Sequence, residues 1–204
     1  MTVLAERKTE YPTKMRTPDV LIYEELQGRK LYRKGYEQFL NHTKTIEEIM
    51  GCSSLQGVLV SILLRYLYTH TDEDAYEIFT NEAGLHVSLG NNLSGDIILY
   101  DANDARQYQY DNHYFNVAPK MVIEIDVKIE AEGSDVETYW TKKTETLLDF
   151  GVEKVIWVFS EEKTIIIAEP NKKWIIQNWT SDFELIPRHI VNIQKMIDKK
   201  GYKI

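Results

Sequence analysis

Residues 121–129 read Met-Val-Ile-Glu-Ile-Asp-Val-Lys-Ile, a strand-like alternation. It predicts a strand with Glu124, Asp126 and Lys128 on one face and five apolar residues on the other. Upstream, Ser53 or Ser54 is placed to cap a helix through Leu55, Leu59, Ile62, Leu63, Tyr66 and Leu67, whose spacing gives a broad apolar face suited to packing on a sheet. Short strands follow over 76–80 and 84–89, a turn at Gly90-Asn91-Asn92, and another strand over 96–100. Residues 135–150 read as a helix stopped by Gly151, and 155–159 as a buried strand. Strand, helix and strand in that order predict a right-handed crossover between parallel strands. Outer strands are expected over 164–168 and 173–179, and a closing helix over 190–200.

The ends of the pattern are weaker. Residues 1–20 are polar, carry Pro12 and Pro18 and hold no period, so they read as a loose N-terminal arm before a single domain over 21–204. Around Gln27-Gly28, aromatic and turn residues fit a small β element or a short helix, with the β element preferred.

Composition narrows the class. The chain has 204 residues, 43% of them hydrophobic, enough for one domain with a sizeable core. A net charge of -8 argues against coating nucleic acid by bulk attraction, though a local groove or bound cations still admit a polyanion. Residues 72–104 hold eight acids and no Lys or Arg, a segment that repels DNA unless a cation intervenes. The single cysteine, Cys52, excludes an internal disulfide and reads as a buried thiol. The start lacks a secretory core and no apolar run is long enough to span a bilayer, so a soluble cytoplasmic protein without membrane contact is expected.

The charged residues then suggest chemistry. Asp96 opens an apolar run after Ser94-Gly95, at a strand mouth. With Glu124 and/or Asp126 and a carbonyl it would make an open oxygen site for a hard ion such as Mg²⁺. Such an ion polarises a phosphodiester and acidifies its bound water, and Lys128 would offset developing phosphoryl charge. On spacing alone a solvated strand face is the commoner explanation, as is a turn role for Asp96. Glu47 and Glu48 read as first-turn helix acids rather than outer ligands, and His86, His113 and His189 have no zinc spacing.

Four pieces in order change this balance: Gly84-Leu85-His86-Val87-Ser88-Leu89, Ser94-Gly95-Asp96-Ile97-Ile98, Pro119-Lys120-Met121-Val122-Ile123-Glu124-Ile125, and the run from Leu147 to Val158. Together they resemble the Uma-type restriction-endonuclease family of the PD-(D/E)xK nuclease superfamily, from about Tyr23, in Tyr-Glu-Glu-Leu-Gln-Gly, to Ala168. The resemblance implies an α/β restriction-endonuclease-like domain, a central mixed β-sheet flanked by helices, and hydrolysis of DNA with Mg²⁺ or Mn²⁺, with a homodimer plausible. Asp96 matches the first acid, Glu124 the acid after the proline-led strand, and Lys143 the family's helix lysine. Gly95 replaces the expected proline, and Asp126-Val127-Lys128 stands where the family has a serine-containing turn. Asp96, Glu124 and Asp126 are therefore the expected metal ligands. Lys128 is placed ahead of Lys143 as the catalytic lysine, because a strand position has a fixed facing. The rivals are a noncatalytic module that keeps the nuclease fold to bind nucleic acid or protein, and a structural or oligomerising protein.

Overall fold

The computed structural model describes residues 17–107, 111–130 and 134–204. Most of the expected N-terminal arm, residues 1–16, lies outside the described residues; Asp19–Leu21 forms one 3-10 turn. The β element at Gln27-Gly28 is a hairpin of β1 (Ile22–Leu26) and β2 (Arg29–Tyr32). Its two turn residues both have positive φ, 52° and 75°, as a two-residue hairpin turn requires.

Three helices follow: α1 (Tyr36–Leu40), α2 (Ile46–Met50) and α3 (Ser54–His70). Thr45 and Glu48 close a capping box on α2, so Glu48 is occupied as a helix-start acid. Ser53 caps α3 by accepting from the Gln56 N–H at 3.1 Å. Cys52, in the linker between these helices, is exposed, against the buried thiol expected, because the linker runs outside the apolar face that starts at α3.

The two strands expected over 76–80 and 84–89 are one long strand, β3 (Tyr76–Ser88), paired antiparallel along β4 (Asn91–Asp101). What read as a break is a bulge: Thr80 faces Ile97 and Ala83 faces Gly95, so Asn81 and Glu82 together stand across from Asp96. Both bulge residues have positive φ, 69° and 54°. After β4 comes α4 (Ala102–Gln107).

The strand expected over 121–129 is corrected to β5 (Met121–Ile125). All five of its residues are buried, so it is a central strand with both faces covered rather than a strand with a wet charged face. At Asp126 the backbone turns to a φ of 60°, a conformation Asp tolerates better than most residues. Residues 128–130 then leave β5 and run beside the end of β2, with Lys34 N–H donating to the Lys128 carbonyl (2.7 Å) and Glu130 N–H to the Tyr32 carbonyl (2.9 Å).

The expected strand–helix–strand connection between parallel strands is present. α5 (Ser134–Phe150) ends at Gly151, whose φ is 118°, and leads to β6 (Lys154–Phe159), parallel to β5 with Ile123 opposite Ile156. β7 (Thr164–Ala168) and β8 (Ile175–Asn178) extend the sheet antiparallel. A separate hairpin, β9 (Phe183–Ile186) with β10 (His189–Val191), precedes α6 (Ile193–Lys200). The helix expected from 190 thus starts three residues later, at the Asn192 cap, whose side chain accepts from the Lys195 N–H at 3.0 Å.

The main sheet is mixed and has eight strands in the order β2-β1-β4-β5-β6-β7-β8, with β3 on β4. Its faces carry two cores. Met121, Ile123 and Ile125 pack with Leu59, Ile62, Leu63 and Leu67 of α3 and with Ile193 and Ile197 of α6. Ile98, Val122, Val155 and Trp157 pack with Tyr139 and Leu147 of α5. Burying each large apolar side chain contributes roughly 1.5–3 kcal/mol. Among the described residues no helix is long and apolar enough to cross a membrane.

Candidate functional site

The β4–β5 register sets Ile97 opposite Ile123 and Ile98 opposite Val122. The ladder ends one residue short of Asp96 and Glu124, where the Asp96 side chain takes over the Ile125 N–H. The two carboxylates are buried, 5% and 2% exposed, and close enough that the Asp96 charge acts on Glu124. Burial at that level requires hydrogen bonds or opposite charges.

Asp96 has both. Its Oδ2 accepts from the Ile125 N–H at 2.8 Å, and its Oδ1 accepts from the Lys128 ammonium. Thr80 Oγ1 donates to the Asp96 carbonyl (2.7 Å), tying the acid's backbone to the strand that carries the bulge. Glu124 is served by one ion pair, with Lys143 Nζ 2.9 Å from its Oε1. Burial pushes the Glu124 carboxyl up, to about 8; Lys143 pulls the other way, and the Asp96 and Glu24 charges add to the rise.

Lys143 is itself fully buried. Burial disfavours its charge, but Glu124 and Glu24 outweigh that and hold the ammonium above the ordinary lysine range. Its Nζ donates to Glu24 Oε1 at 2.5 Å and lies 5.7 Å from the Trp157 ring centroid and 5.8 Å from that of Tyr139. Helix docking thus brings Lys143 onto the acid pair, from one turn beyond Tyr139 on α5.

Glu24 belongs to this cluster and was not singled out as a site residue by spacing. It accepts from the Ser94 N–H (2.9 Å), the Ser94 hydroxyl (2.8 Å) and the Tyr139 hydroxyl (2.7 Å) as well as from Lys143. Burial raises the Tyr139 hydroxyl well above the ordinary tyrosine range, with the Glu24 and Glu124 charges adding, so it stays a proton donor. The legible signal is parity: Glu24 falls on the same strand face as buried Leu26.

Asp126 is turned elsewhere. Its carboxylate accepts from the Ser160 N–H (2.6 Å) and hydroxyl (2.7 Å), fastening the end of β5 to the turn after β6. Lys128 reaches Asp96 from the segment beside β2, with its Nζ also 3.7 Å from Glu82 Oε1. Among the described residues no group of three or more His, Cys, Asp or Glu side chains is disposed to hold a metal. The structure brings together Asp96, Glu124, Lys128 and Lys143, with Asp126 engaged on Ser160.

Three buried carboxylates, Glu24, Asp96 and Glu124, meet two ammoniums, and a Glu124 carboxyl raised to about 8 keeps its proton near neutrality, so the cluster is close to charge balance.

Outside the acids lies a groove of about 880 Å³, lined by Gln56, Glu82, Asp126 and Lys128 among others. Asp96 and Glu124 do not line it, whereas Lys128, the partner of Asp96, does. Its rim includes Arg33, Lys34 and Lys44 against a larger number of acids, among them Glu137, Glu161 and Glu162.

Gly95 has a local cause. A Cβ there would meet Ile98 Cγ2 at 2.6 Å and Val122 Cγ1 at 3.0 Å, so the core has filled the space a proline ring would take.

No family model and no curated protein sequence matches the chain. Its eight-stranded mixed sheet, crossover helix and paired acids at adjacent strands define a restriction-endonuclease-like fold. Among solved structures it is similar to a protein from Anabaena variabilis ATCC 29413 described as a "putative nuclease belonging to DUF820". The TM-score is 0.59 at 15% sequence identity, covering 86% of this chain and 89% of that one. At this identity the likeness is one of fold.

Proposed function

We propose that this chain is a metal-dependent nuclease that hydrolyses DNA phosphodiester bonds at the Asp96–Glu124 pair. The observation that carries the reading is a buried pair of acids, Asp96 and Glu124, each ion-paired with a lysine, in a fold shared with a protein described as a nuclease. Asp96 and Glu124 would hold Mg²⁺ or Mn²⁺. Such an ion would supply Lewis acidity toward a phosphodiester and a more acidic bound water.

The chain's own residues prepare this centre. Lys143 offsets charge on Glu124, and the Glu24, Ser94 and Tyr139 bonds fix where that lysine sits. Lys128, the lysine that reaches the groove, offsets phosphoryl charge. Asp126 acts as an anchor through Ser160 rather than as a ligand. A homodimer would supply two sites for cutting both strands.

A noncatalytic module on the same fold is favoured by one observation, that both Asp96 oxygens are already bonded. Titrating metal-free protein with Mn²⁺ by calorimetry separates the two. The nuclease reading expects saturable binding that is lost in an Asp96→Ala, Glu124→Ala double variant; equal binding in both proteins, or none in either, overturns it.

A further inference from the structure

We propose that the groove between α3 and α6 binds a nucleotide unit, an unpaired base with its phosphate. The two helices cover the sheet face that carries Met121, Ile123 and Ile125, whereas Glu124 meets Lys143 of α5, the helix on the other face. The site is separate from the acid pair and does not rest on the hydrolytic reading.

The groove has a volume of about 450 Å³, within the range of small-molecule sites. α3 lines it with Ile62, Arg65, Tyr66, Thr69 and His70, and α6 lines it with Lys195, Met196, Lys199 and Lys200 after the Asn192 cap. Both sets follow the spacing i, i+3, i+4, i+7 and i+8, the stripe by which an amphipathic helix meets its core. Here each stripe begins buried, at Ile62 and at Asn192, and ends exposed and polar, at His70 and at Lys200.

Charge gives the first half of the argument. Four cations, Arg65, Lys195, Lys199 and Lys200, share the groove with one acid, Asp182. That acid is committed: its Oδ1 accepts from Asn192 Nδ2 at 2.9 Å and from Lys195 Nζ at 3.1 Å. Among the described residues, Arg65, Lys199 and Lys200 have no carboxylate partner. Cations in the last turn of α6 offset its dipole, but this does not account for Arg65, in the middle of α3. The groove beside Lys128 and the one beside His86 both carry more acids than cations, in a chain of net charge -8. The α3–α6 groove is the one of the three with the charge to attract a phosphate.

Rings give the second half. Tyr66 and His70, one turn apart, stack with centroids 3.9 Å apart and 14° between planes, and His189 of β10 meets His70 edge-on at 5.3 Å. Ile190, next to His189, lines the groove and is 60% exposed. Ring and aliphatic surface beside unpaired cations suits a flat base that carries an anion. Bases inside a duplex are stacked on one another and offer no face, so the base taken here is unpaired. A free nucleotide and a single strand share this chemistry.

The test is fluorescence anisotropy of a 5′-labelled thymidine oligonucleotide mixed with the full chain in EDTA, which keeps divalent ions and cleavage out of the measurement. Wild type should bind saturably, and more weakly as salt rises. An Arg65→Ala, Lys199→Ala double variant should bind about tenfold more weakly at low salt, and its plot of log affinity against log salt should be shallower by about 1.4, the share of two phosphate contacts to a single strand. His70→Ala should lose several-fold and His70→Phe should restore it, since the ring is what the base meets. The Asp96→Ala, Glu124→Ala variant should bind as wild type does. Displacement of the probe by thymidine monophosphate assigns the groove to free nucleotides, and displacement by unlabelled single strand alone assigns it to a polynucleotide.

No saturable binding by wild type, equal binding by the Arg65→Ala, Lys199→Ala variant, or tighter binding of a duplex of the same length overturns the proposal. Inorganic phosphate that displaces the probe as well as thymidine monophosphate does, with His70→Ala unaffected, overturns recognition of the base. Each of these results leaves the hydrolytic reading untouched.

Discussion

Two lysines serve the same pair of acids from opposite sides, and their surroundings differ in one respect that decides what each can do. Lys143 is sealed: its side chain and that of Glu24 are 0% exposed, and Ser94 and Tyr139 complete the partner set around Glu24. Lys128 stands at a groove, 15% exposed, with Glu82 at 34% as a second carboxylate. A charge with no water and no alternative partner is a fixed part of the scaffold. The same charge with water at its side and a second partner close by can be exchanged. The desolvation that makes a sealed pair rigid also makes it costly to break, whereas a pair at a groove is weaker and more adaptable.

The largest effect expected from this contrast is at Lys143. Lys143→Met leaves Glu24 and Glu124 in the core without their shared cation and should destabilise the fold by about 3–5 kcal/mol. Lys128→Met should cost only about 1–2 kcal/mol, since groove water can replace the bond to Asp96. Urea denaturation of the two variants checks the ordering, and equal losses would break the comparison.

Next comes the floor beneath the acids. Gly95→Pro forces ring atoms against Ile98 and Val122 and should cost about 1–3 kcal/mol from overpacking. The thermal midpoint reports it, and a variant as stable as wild type would mean that the α5-side core gives way more easily than its packing indicates.

Glu124 sharpens the comparison through pH. Its carboxyl in the folded protein is raised from 4.5 to about 8, so the folded state binds the proton more tightly than the unfolded state. The stability contributed by this group is fully present below pH 4.5, declines as pH rises, and is lost by about pH 8. Glu124→Gln should remove that slope from denaturation curves measured across the window. Mn²⁺ affinity should rise over the same interval, because the ion displaces the proton, and level off above about 8.

The smallest expected effect belongs to Asp126. Asp126→Asn weakens the anchor to Ser160 and should cost about 1 kcal/mol, with Mn²⁺ affinity unchanged. A marked loss of metal binding in this variant would return Asp126 to the ligand set.

Much of the fold was legible because its elements carry local signals. The Ser53 cap and apolar spacing of α3, Gly151 after α5, and the Gln27-Gly28 turn each depend on residues close in sequence. Asp96 and Glu124 were legible as two acids on neighbouring strands, and both are buried in one cluster. The alternation over 121–129 misled because it looks the same whether a strand faces water or buries both faces, and only pairing between β4 and β6 shows that β5 is central. Asp126, Ser160 and the left-handed turn at 126 form a long-range lock with no local signature. The relative standing of the lysines depends on how α5 docks, and so does the place of Glu24, whose Lys143 and Tyr139 partners lie 119 and 115 residues away. The β3 bulge read as a strand break because two polar residues, Asn81 and Glu82, interrupt the apolar pattern without ending the pairing.

The most direct test of the central claim is cleavage itself. Supercoiled DNA incubated with purified protein and Mn²⁺ should be nicked or linearised by wild type, and Asp96→Ala and Glu124→Ala, each checked for folding by its denaturation midpoint, should lose that activity. Cleavage that persists at the wild-type rate in both variants would contradict the assignment of the buried acid pair as the hydrolytic centre.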